Sequence, residues 1–333
     1  MKQSDAMIVV TGASGHIGGN LVNALVDRGR HVRALINNND RGLIGDLDIE
    51  FAHGDVCDPA SLKAAFCGAK VVYHLAGIIS LDGDQGGRVQ AVNVTGVRNV
   101  ARAALACGVE RMVHVSSVHA FVPPPDGAVL DESRPLTARP TDTAYARSKA
   151  GGERELRQVM QQGLDAVILN PTAVLGPLDV TPSSMGQFFI DLYRRKVPAL
   201  IPGGYTWIDA RDVAEAALAA EQKGRRGENY LLAGPRLSVV ELCRVAEQIT
   251  GIKSPRVIVP MWLARRAAAA QTWRDRRRGR APLFTPESLD TLRTNPQVSS
   301  AKATRELGFQ PRPIEDTVRD IYAWFRTRGQ LES

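Results

Sequence analysis

Residues 7–26 constrain the fold more than any other stretch of this chain. Met7-Ile8-Val9-Val10 is a short apolar run ending in Thr11-Gly12-Ala13-Ser14-Gly15-His16-Ile17-Gly18. An amphipathic helix follows, with Ile17, Leu21, Leu25 and Val26 on one face. A strand, a glycine turn and a helix in that order form a phosphate cradle, because backbone N–H groups and the helix dipole both favour a pyrophosphate. Gly12, Gly15 and Gly18 leave room for the turn, the ligand and helix–strand packing, and Ser14, His16 and Ile17 complete the loop. The spacing is Gly-x-x-Gly-x-x-Gly, not the Gly-x-Gly-x-x-Gly of ordinary dinucleotide folds.

Downstream, strand-like and helix-like segments alternate. His31 to Ile36 reads as the second strand. In dinucleotide folds an acid usually ends this strand and holds the ribose hydroxyls. Here the end reads Ile36-Asn37-Asn38-Asn39-Asp40-Arg41. Without an acid at the strand end a 2′-phosphate is not repelled, and Arg41 can pair with it, so the reading leans to NADP over NAD. Further strands are expected at 49–52, 71–77, 111–117 and 165–170, with helices at 89–107, 143–162 and 185–195. Asp58 is positioned to cap a helix starting at Pro59. The alternation predicts an α/β fold, a doubly wound parallel sheet. After Pro177 the pattern breaks. Residues 207–213 are expected to return to the main domain, and from Ser238 onward helices dominate, at 239–250, 261–274, 286–292, 301–307 and 314–328. The domain reading is 1–177 with 204–233 for the dinucleotide domain, and 178–203 with 234–328 for a smaller, mostly helical substrate domain.

Tyr145-Ala146-Arg147-Ser148-Lys149 puts a phenol and an amine on one helical face, one turn apart. A free tyrosine, with a pKa near ~10, is a poor proton donor or acceptor at neutral pH, and a nearby ammonium lowers that value. The pair is a candidate general acid/base.

Composition sets the limits. The chain has 333 residues, 44% hydrophobic and 23% charged, ordinary for a soluble globular protein. No apolar run reaches transmembrane length, and no signal-peptide pattern opens the chain, so a cytoplasmic location is expected. Cys57, Cys67, Cys107 and Cys243 are widely spaced and read as reduced, buried thiols. No histidine pair has metal-ligand spacing, and no metal is expected. The net charge of +7 is uneven: residues 253–280 hold nine Lys and Arg against Asp275 alone. Only Trp262 and Trp273 stand among these arginines, and nucleic acid is not expected. A membrane is not an expected partner, though the 253–280 segment leaves peripheral contact with an anionic surface, or an acidic partner, open.

Taken together, Thr11 to Gly18, Gly54-Asp55-Val56, Leu75-Ala76-Gly77, Asn93-Val94-Thr95-Gly96, Val115-Ser116-Ser117, Tyr145 with Lys149, and Pro171 to Pro177 resemble the extended short-chain dehydrogenase/reductases. The resemblance covers nearly the whole chain. It implies a Rossmann-like fold in which Tyr145 exchanges a proton with the substrate oxygen. Lys149 would lower the tyrosine's pKa and hold the nicotinamide ribose, and Ser117 would polarise the carbonyl or hydroxyl. Asn93 would shape the long helix and relay protons. Asp55 and Val56 would flank the adenine; Leu75, Ala76, Gly77, Pro171 and Thr172 would line the rest of the cofactor site. Asn170 to Pro177 and Val32 to Leu35 look most like the dihydroflavonol reductase and cinnamoyl-CoA reductase branch. His119, Asn170, Tyr205 and Trp207 are the candidate substrate contacts, with His119 as a possible second proton-transfer group. The implied chemistry is ketone or aldehyde to alcohol. A nucleotide-sugar epimerase or dehydratase with recycled NAD is the alternative, in which Phe188, Phe189, Tyr193, Tyr205 and Trp207 are the aromatic candidates and Arg194, Arg195 and Arg211 the pyrophosphate partners. Family members often pair as dimers through the helices corresponding to 89–107 and 143–162. Two departures stand out: His16 replaces a usual Phe or Tyr, and Asn37 a usual Arg.

Overall fold

Side chains of β1 (Met7–Thr11) point alternately into two separate cores, and that alternation sets the architecture. Ile8 and Val10 face one apolar cluster and Val9 the other, all fully buried. A strand buried on both faces is the signature of a parallel sheet covered by helices on each side. The computed structural model describes residues 6–37, 41–80, 83–125, 127–277, 289 and 296–331.

β1, β2 (Val32–Ile36), β3 (Glu50–His53), β4 (Ala69–His74), β5 (Arg111–Val115), β6 (Ala166–Pro171) and β9 (Asn229–Leu232) form a seven-stranded sheet in the order β3-β2-β1-β4-β5-β6-β9. Every neighbouring pair is parallel. Helices α1 (His16–Val26) and α7 (Ala210–Lys223) cover one face. Helices α2 (Pro59–Phe66), α4 (Val97–Ala106) and α5 (Ala144–Met160) cover the other. This is the expected Rossmann-like, doubly wound sheet. Chain direction across the sheet reverses between β1 and β4, which opens a crevice at their carboxyl ends. Asp58 caps α2 through the Ala60 N–H at 3.1 Å, and Thr143 caps α5 through the Ala146 N–H at 3.0 Å.

The expected helix at 89–107 is not uniform. A short helix α3 (Arg88–Gln90) runs into a π-helical stretch, Ala91–Gly96, before α4. Asn93 sits in that widened turn, and such turns recur at functional sites.

Segment 204–233, expected to return to the main domain, contributes to the main sheet only in part. Helix α7 and β9 do join it, but β8 (Gly204–Asp209) pairs with β7 (Ala173–Leu175) and β10 (Arg236–Ser238) in a separate three-stranded sheet. That sheet packs with α6 (Ser184–Tyr193), α8 (Val239–Thr250), α9 (Met261–Arg277) and the helix Ile314–Thr327 around Trp207, Phe189, Tyr322 and Phe325. Two ion pairs bolt α7 to the C-terminal segment, Arg211–Asp320 at 2.6 Å and Arg312–Asp212 at 2.7 Å. The helix expected at 286–292 lies, Leu289 apart, outside the described residues. Of the cysteines only Cys243 is buried; Cys57 and Cys67 are exposed, because they stand in turns at the ends of α2 rather than in its core face.

Candidate active site

The glycine turn crosses the crevice. Gly12 adopts a φ of +69°, and a Cβ there would lie 2.6 Å from the Ala76 backbone nitrogen, so the turn leans directly on the end of β4. A Cβ on Gly18 would stand 2.0 Å from the Gly12 carbonyl oxygen, so α1 is pressed against the turn. Gly15 is the N-cap of α1 and has no side-chain cap, and no acid stands in the helix's first turn. The helix therefore keeps N–H groups that its own side chains do not satisfy, which is what an anionic ligand needs. Thr172, at the end of β6, buries a hydroxyl that has no protein partner. A cradle only glycine can line, an uncapped helix and an orphaned hydroxyl at the strand ends fit a dinucleotide.

Other sequence candidates surround this cradle. His16 does not face outward as a substitute aromatic. Its Nε2 lies 3.2 Å and 3.0 Å from the carbonyl oxygens of Gly176 and Pro177, pinning α1 to the segment after β6. Asn37 is exposed at the end of β2. The Arg41 guanidinium lies 4.3 Å from the centre of the Phe51 ring. Residues 38–40 lie outside the described set. Asp55 accepts the Cys57 N–H at 2.7 Å, and Val56 is buried. Thr11 Oγ1 lies 2.7 Å from His74 Nδ1 and 3.3 Å from the Ala76 nitrogen, locking the Leu75-Ala76-Gly77 exit of β4 to β1.

Ser117, Asn93, Tyr145 and Lys149 come from three elements and meet at the same end of the sheet. Ser117 follows β5 and caps the short turn Val118–Ala120, accepting the His119 N–H at 3.2 Å. Its hydroxyl also acts on the Tyr145 phenol, lowering that group's pKa. Lys149 Nζ lies 6.0 Å from the centre of the Tyr145 ring and 3.5 Å from the Val115 carbonyl oxygen. Asn93 accepts the Ile78 N–H at 2.8 Å, donates to the Ile78 carbonyl at 2.8 Å and to Ser148 Oγ at 3.0 Å. A Cβ on Gly77 would meet both Asn93 Oδ1 and Lys149 Nζ at 3.2 Å, so amide and ammonium converge over that glycine.

Charge states differ from the sequence expectation. Burial pushes the Tyr145 phenol up to about 12, against a smaller lowering by the Ser117 hydroxyl. Burial also brings Lys149 down to about 8, partly opposed by the Glu153 carboxylate. The lysine does not lower the tyrosine here. It stands 6.0 Å from the ring, and desolvation, which disfavours both charged forms, outweighs the attraction. The His119 ring lies edge-on to Tyr145 with centroids 5.9 Å apart, and burial lowers its pKa, so the imidazole is neutral at neutral pH.

Two expected substrate contacts are corrected. Trp207 is fully buried in the core beside the second sheet, and its indole N–H donates to the Leu237 carbonyl at 3.0 Å. Asn170 is fully buried as well, and its amide donates to the Ser117 carbonyl at 3.0 Å and to Glu153 Oε1 at 2.7 Å. Asn170 thus braces the serine from behind. Tyr205 remains half-buried, edge-on to Trp207 at 5.1 Å.

The sequence reading missed Glu153. It is fully buried on α5, one turn beyond Lys149, and its second oxygen accepts from Asn229 at 2.8 Å. Asn229 also donates to Asn170 Oδ1 at 2.8 Å. An acid four residues after the lysine, on the same face, was the available signal.

The model of the NAD dependent epimerase/dehydratase family matches residues 8–233. The chain is 36% identical over 327 residues to sterol demethylase protein B of Methylococcus capsulatus, covering 97% of this chain and 99% of that protein. It is 32% identical over 329 residues to a putative dihydroflavonol 4-reductase of Synechocystis sp., covering 97% and 96%. The crystal structure of gox2253 superposes with a TM-score of 0.85 at 34% identity, covering 98% of this chain and 100% of that one. The glycine cradle at the β1/β4 crevice, the Ser–Tyr–Lys convergence and these matches lead to one conclusion: the chain is an enzyme of the NAD dependent epimerase/dehydratase family.

Proposed function

We propose that this enzyme is an NAD(P)(H)-dependent oxidoreductase that interconverts a ketone or aldehyde and an alcohol, with Tyr145 as the general acid/base. The observation that carries this reading is the meeting of Ser117, Tyr145 and Lys149 at one end of the sheet, with the Lys149 amine one turn along the same helix face. When bound, the dinucleotide supplies or accepts the hydride. Gly12, Gly15 and Gly18 would hold its pyrophosphate and Lys149 its ribose. The Ser117 hydroxyl would hold the substrate oxygen, and the Tyr145 phenol, neutral at physiological pH, would give that oxygen a proton during reduction. Asn93 keeps the β4 exit and α5 in register, so the lysine is held over Gly77. The names of the two relatives, a sterol demethylase protein and a dihydroflavonol reductase, favour a ring-bound ketone or secondary alcohol with little charge. NADP(H) is the proposed preference, from Asn37 at the end of β2 and Arg41 four residues on in the sequence. A cytoplasmic enzyme paired with a second copy through 89–107 and 143–162 belongs to the same reading, and light scattering checks the pairing.

Sugar-nucleotide chemistry is less well supported. Arg211 is committed to Asp209 and Asp320, Arg194 donates to the Gln330 carbonyl, and Phe188, Phe189 and Trp207 are buried in the core beside the second sheet. Few groups in 178–211 remain to hold a base and a pyrophosphate.

The test is turnover of a panel of cyclic ketones and their alcohols with NADPH and NADH. Reduction of at least one member, faster with NADPH, is expected; no turnover of any member with either cofactor sinks the reading. The pH profile adds a second check. Reduction should hold level through neutral pH and fall as pH rises through about 8, where Lys149 loses its proton. A rate that stays level to pH 10 detaches Lys149 from the chemistry.

Glu153 enters as a positioning residue. Its carboxylate favours the lysine's charge, so Glu153→Gln should move that alkaline limb down by roughly one pH unit while leaving the rate at pH 6.5 within about twofold. An unmoved limb with a uniformly lower rate would mean that Glu153 only holds the fold.

A further inference from the structure

Six large apolar side chains are exposed among the described residues, and four of them fall within seven positions: Val257 at 61%, Ile258 at 51%, Trp262 at 62% and Leu263 at 43%. They are not on a loose strand. The Leu200 N–H donates to the Val257 carbonyl, and the Val259 N–H to the Leu200 carbonyl, both at 2.9 Å, so the backbone on either side of Ile258 is fixed. Helix α9 then starts at Met261 and seats Ala264 and Ala268, both buried, against the core. Small residues on the inner face draw the helix close and leave Trp262, Leu263, Arg265 and Arg266 outward. Trp262, Arg265, Arg266 and Ala269 line a shallow hollow, with the Arg266 guanidinium 5.8 Å from the centre of the Trp262 ring.

The charge around this patch is one-signed. From Lys253 to Arg280 the sequence carries nine cations against Asp275, while the chain as a whole carries +7. The rest of the sequence is therefore close to neutral, and its excess positive charge falls in the same stretch of chain as Val257, Ile258, Trp262 and Leu263. Arg256 is paired with Glu247 at 2.8 Å, which leaves the local balance strongly positive.

We propose that residues 257–266 form a docking surface for an anionic lipid membrane. A tryptophan and aliphatic side chains flanked by arginines match the interface of an acidic bilayer: the apolar groups enter the headgroup boundary, and the guanidinium groups meet phosphates. A second copy of the chain is a poor occupant, because a two-fold contact would face this positive segment with itself. Nucleic acid would supply the charge but no use for Val257, Ile258 and Leu263. No helix among the described residues is long and apolar enough to cross a membrane, so the contact is peripheral. The surface does not depend on the reaction proposed above.

The experiment is co-sedimentation of the full chain with vesicles, run in 0.1 M salt with phosphatidylcholine alone and with 30% phosphatidylglycerol. Binding to the acidic vesicles is expected to exceed binding to the neutral ones by about tenfold or more and to collapse at 0.5 M salt. Arg265→Gln with Arg266→Gln should weaken acidic-vesicle binding by about tenfold or more, and Trp262→Ala with Leu263→Ala by a similar factor. Melting curves confirm that the variants fold, and the comparison of the two vesicle types needs no variant. Equal binding to both vesicle types, or no binding to either, overturns the proposal. So does acidic-vesicle binding untouched by both variants. Light scattering in which Trp262→Ala splits a dimer reassigns the face to a second copy, and nucleic-acid binding without vesicle binding reassigns it to a polyanion; either result overturns it too.

Discussion

Tyr145→Phe should cut turnover by about 10²- to 10⁴-fold, the usual contribution of a positioned general acid. The change removes one oxygen and leaves the ring where it packs, edge-on to His119 at 5.9 Å. The fold should not notice: Ser117, the side chain that acts on the phenol, keeps the His119 N–H as a partner at 3.2 Å. Cofactor affinity should also hold, because the proposed pyrophosphate cradle lies on β1 and α1 and the lysine is untouched. The expected signature is thus a collapsed kcat with unchanged dinucleotide affinity, read by steady-state kinetics beside a fluorescence titration. Retention of more than a fifth of wild-type kcat would remove Tyr145 from the acid's role. The neutral His119 ring beside it would then be the next group to test. A loss of cofactor affinity equal to the loss of rate would instead mean that the phenol serves binding.

The glycine turn and the tyrosine–lysine pair were legible in the sequence because each is local. A turn needs glycine at fixed offsets, and a helix puts i and i+4 on one face whatever the rest of the chain does. The parallel sheet was legible for a similar reason, since strands buried on both faces carry continuous apolar runs. What escaped depends on distant partners. Trp207 reads as a substrate aromatic by its place after the Pro/Gly-rich segment, yet β8 pairs with β7 and β10, and that pairing turns the indole into the core. Asn170 looked like a pocket residue because it precedes Pro171; Glu153 on one side and Asn229 on the other hold it behind Ser117. The Tyr145 pKa could not be read at all from the spacing of tyrosine and lysine. Helical spacing supplies an attraction, but its weight against desolvation depends on how deeply other elements bury the pair.

Gly18→Ala tests the cradle itself, and its effect should be the largest on the fold. The new methyl would stand 2.0 Å from the Gly12 carbonyl oxygen and 2.9 Å from the Ala13 Cα, both backbone. No rotamer change relieves a backbone clash, so α1 must retreat from the turn by about 1 Å or more to reach ordinary contact distance. Retreat has two costs. Leu21, Val22 and Leu25, all fully buried, lose their fit against the sheet, and overpacking of this kind costs about 1–3 kcal/mol or more. The uncapped end of α1 also swings off the site where its N–H groups would meet a pyrophosphate, so dinucleotide binding should fall below detection. Gly19→Ala is the matched control. It lies one position on in the same helix, its Cβ would find its nearest neighbour, the Ala13 carbonyl oxygen, at 3.9 Å, and alanine is the better helix former by about 1 kcal/mol. That variant should melt at or above the wild-type temperature and bind cofactor. Because the two substitutions are chemically identical and adjacent, a general intolerance of α1 to added bulk would affect both. Only the close approach of α1 to the Gly12 carbonyl separates them. Equal melting temperatures and equal cofactor titrations for the pair would show that the helix does not press on the turn, and the pyrophosphate site would have to be sought elsewhere.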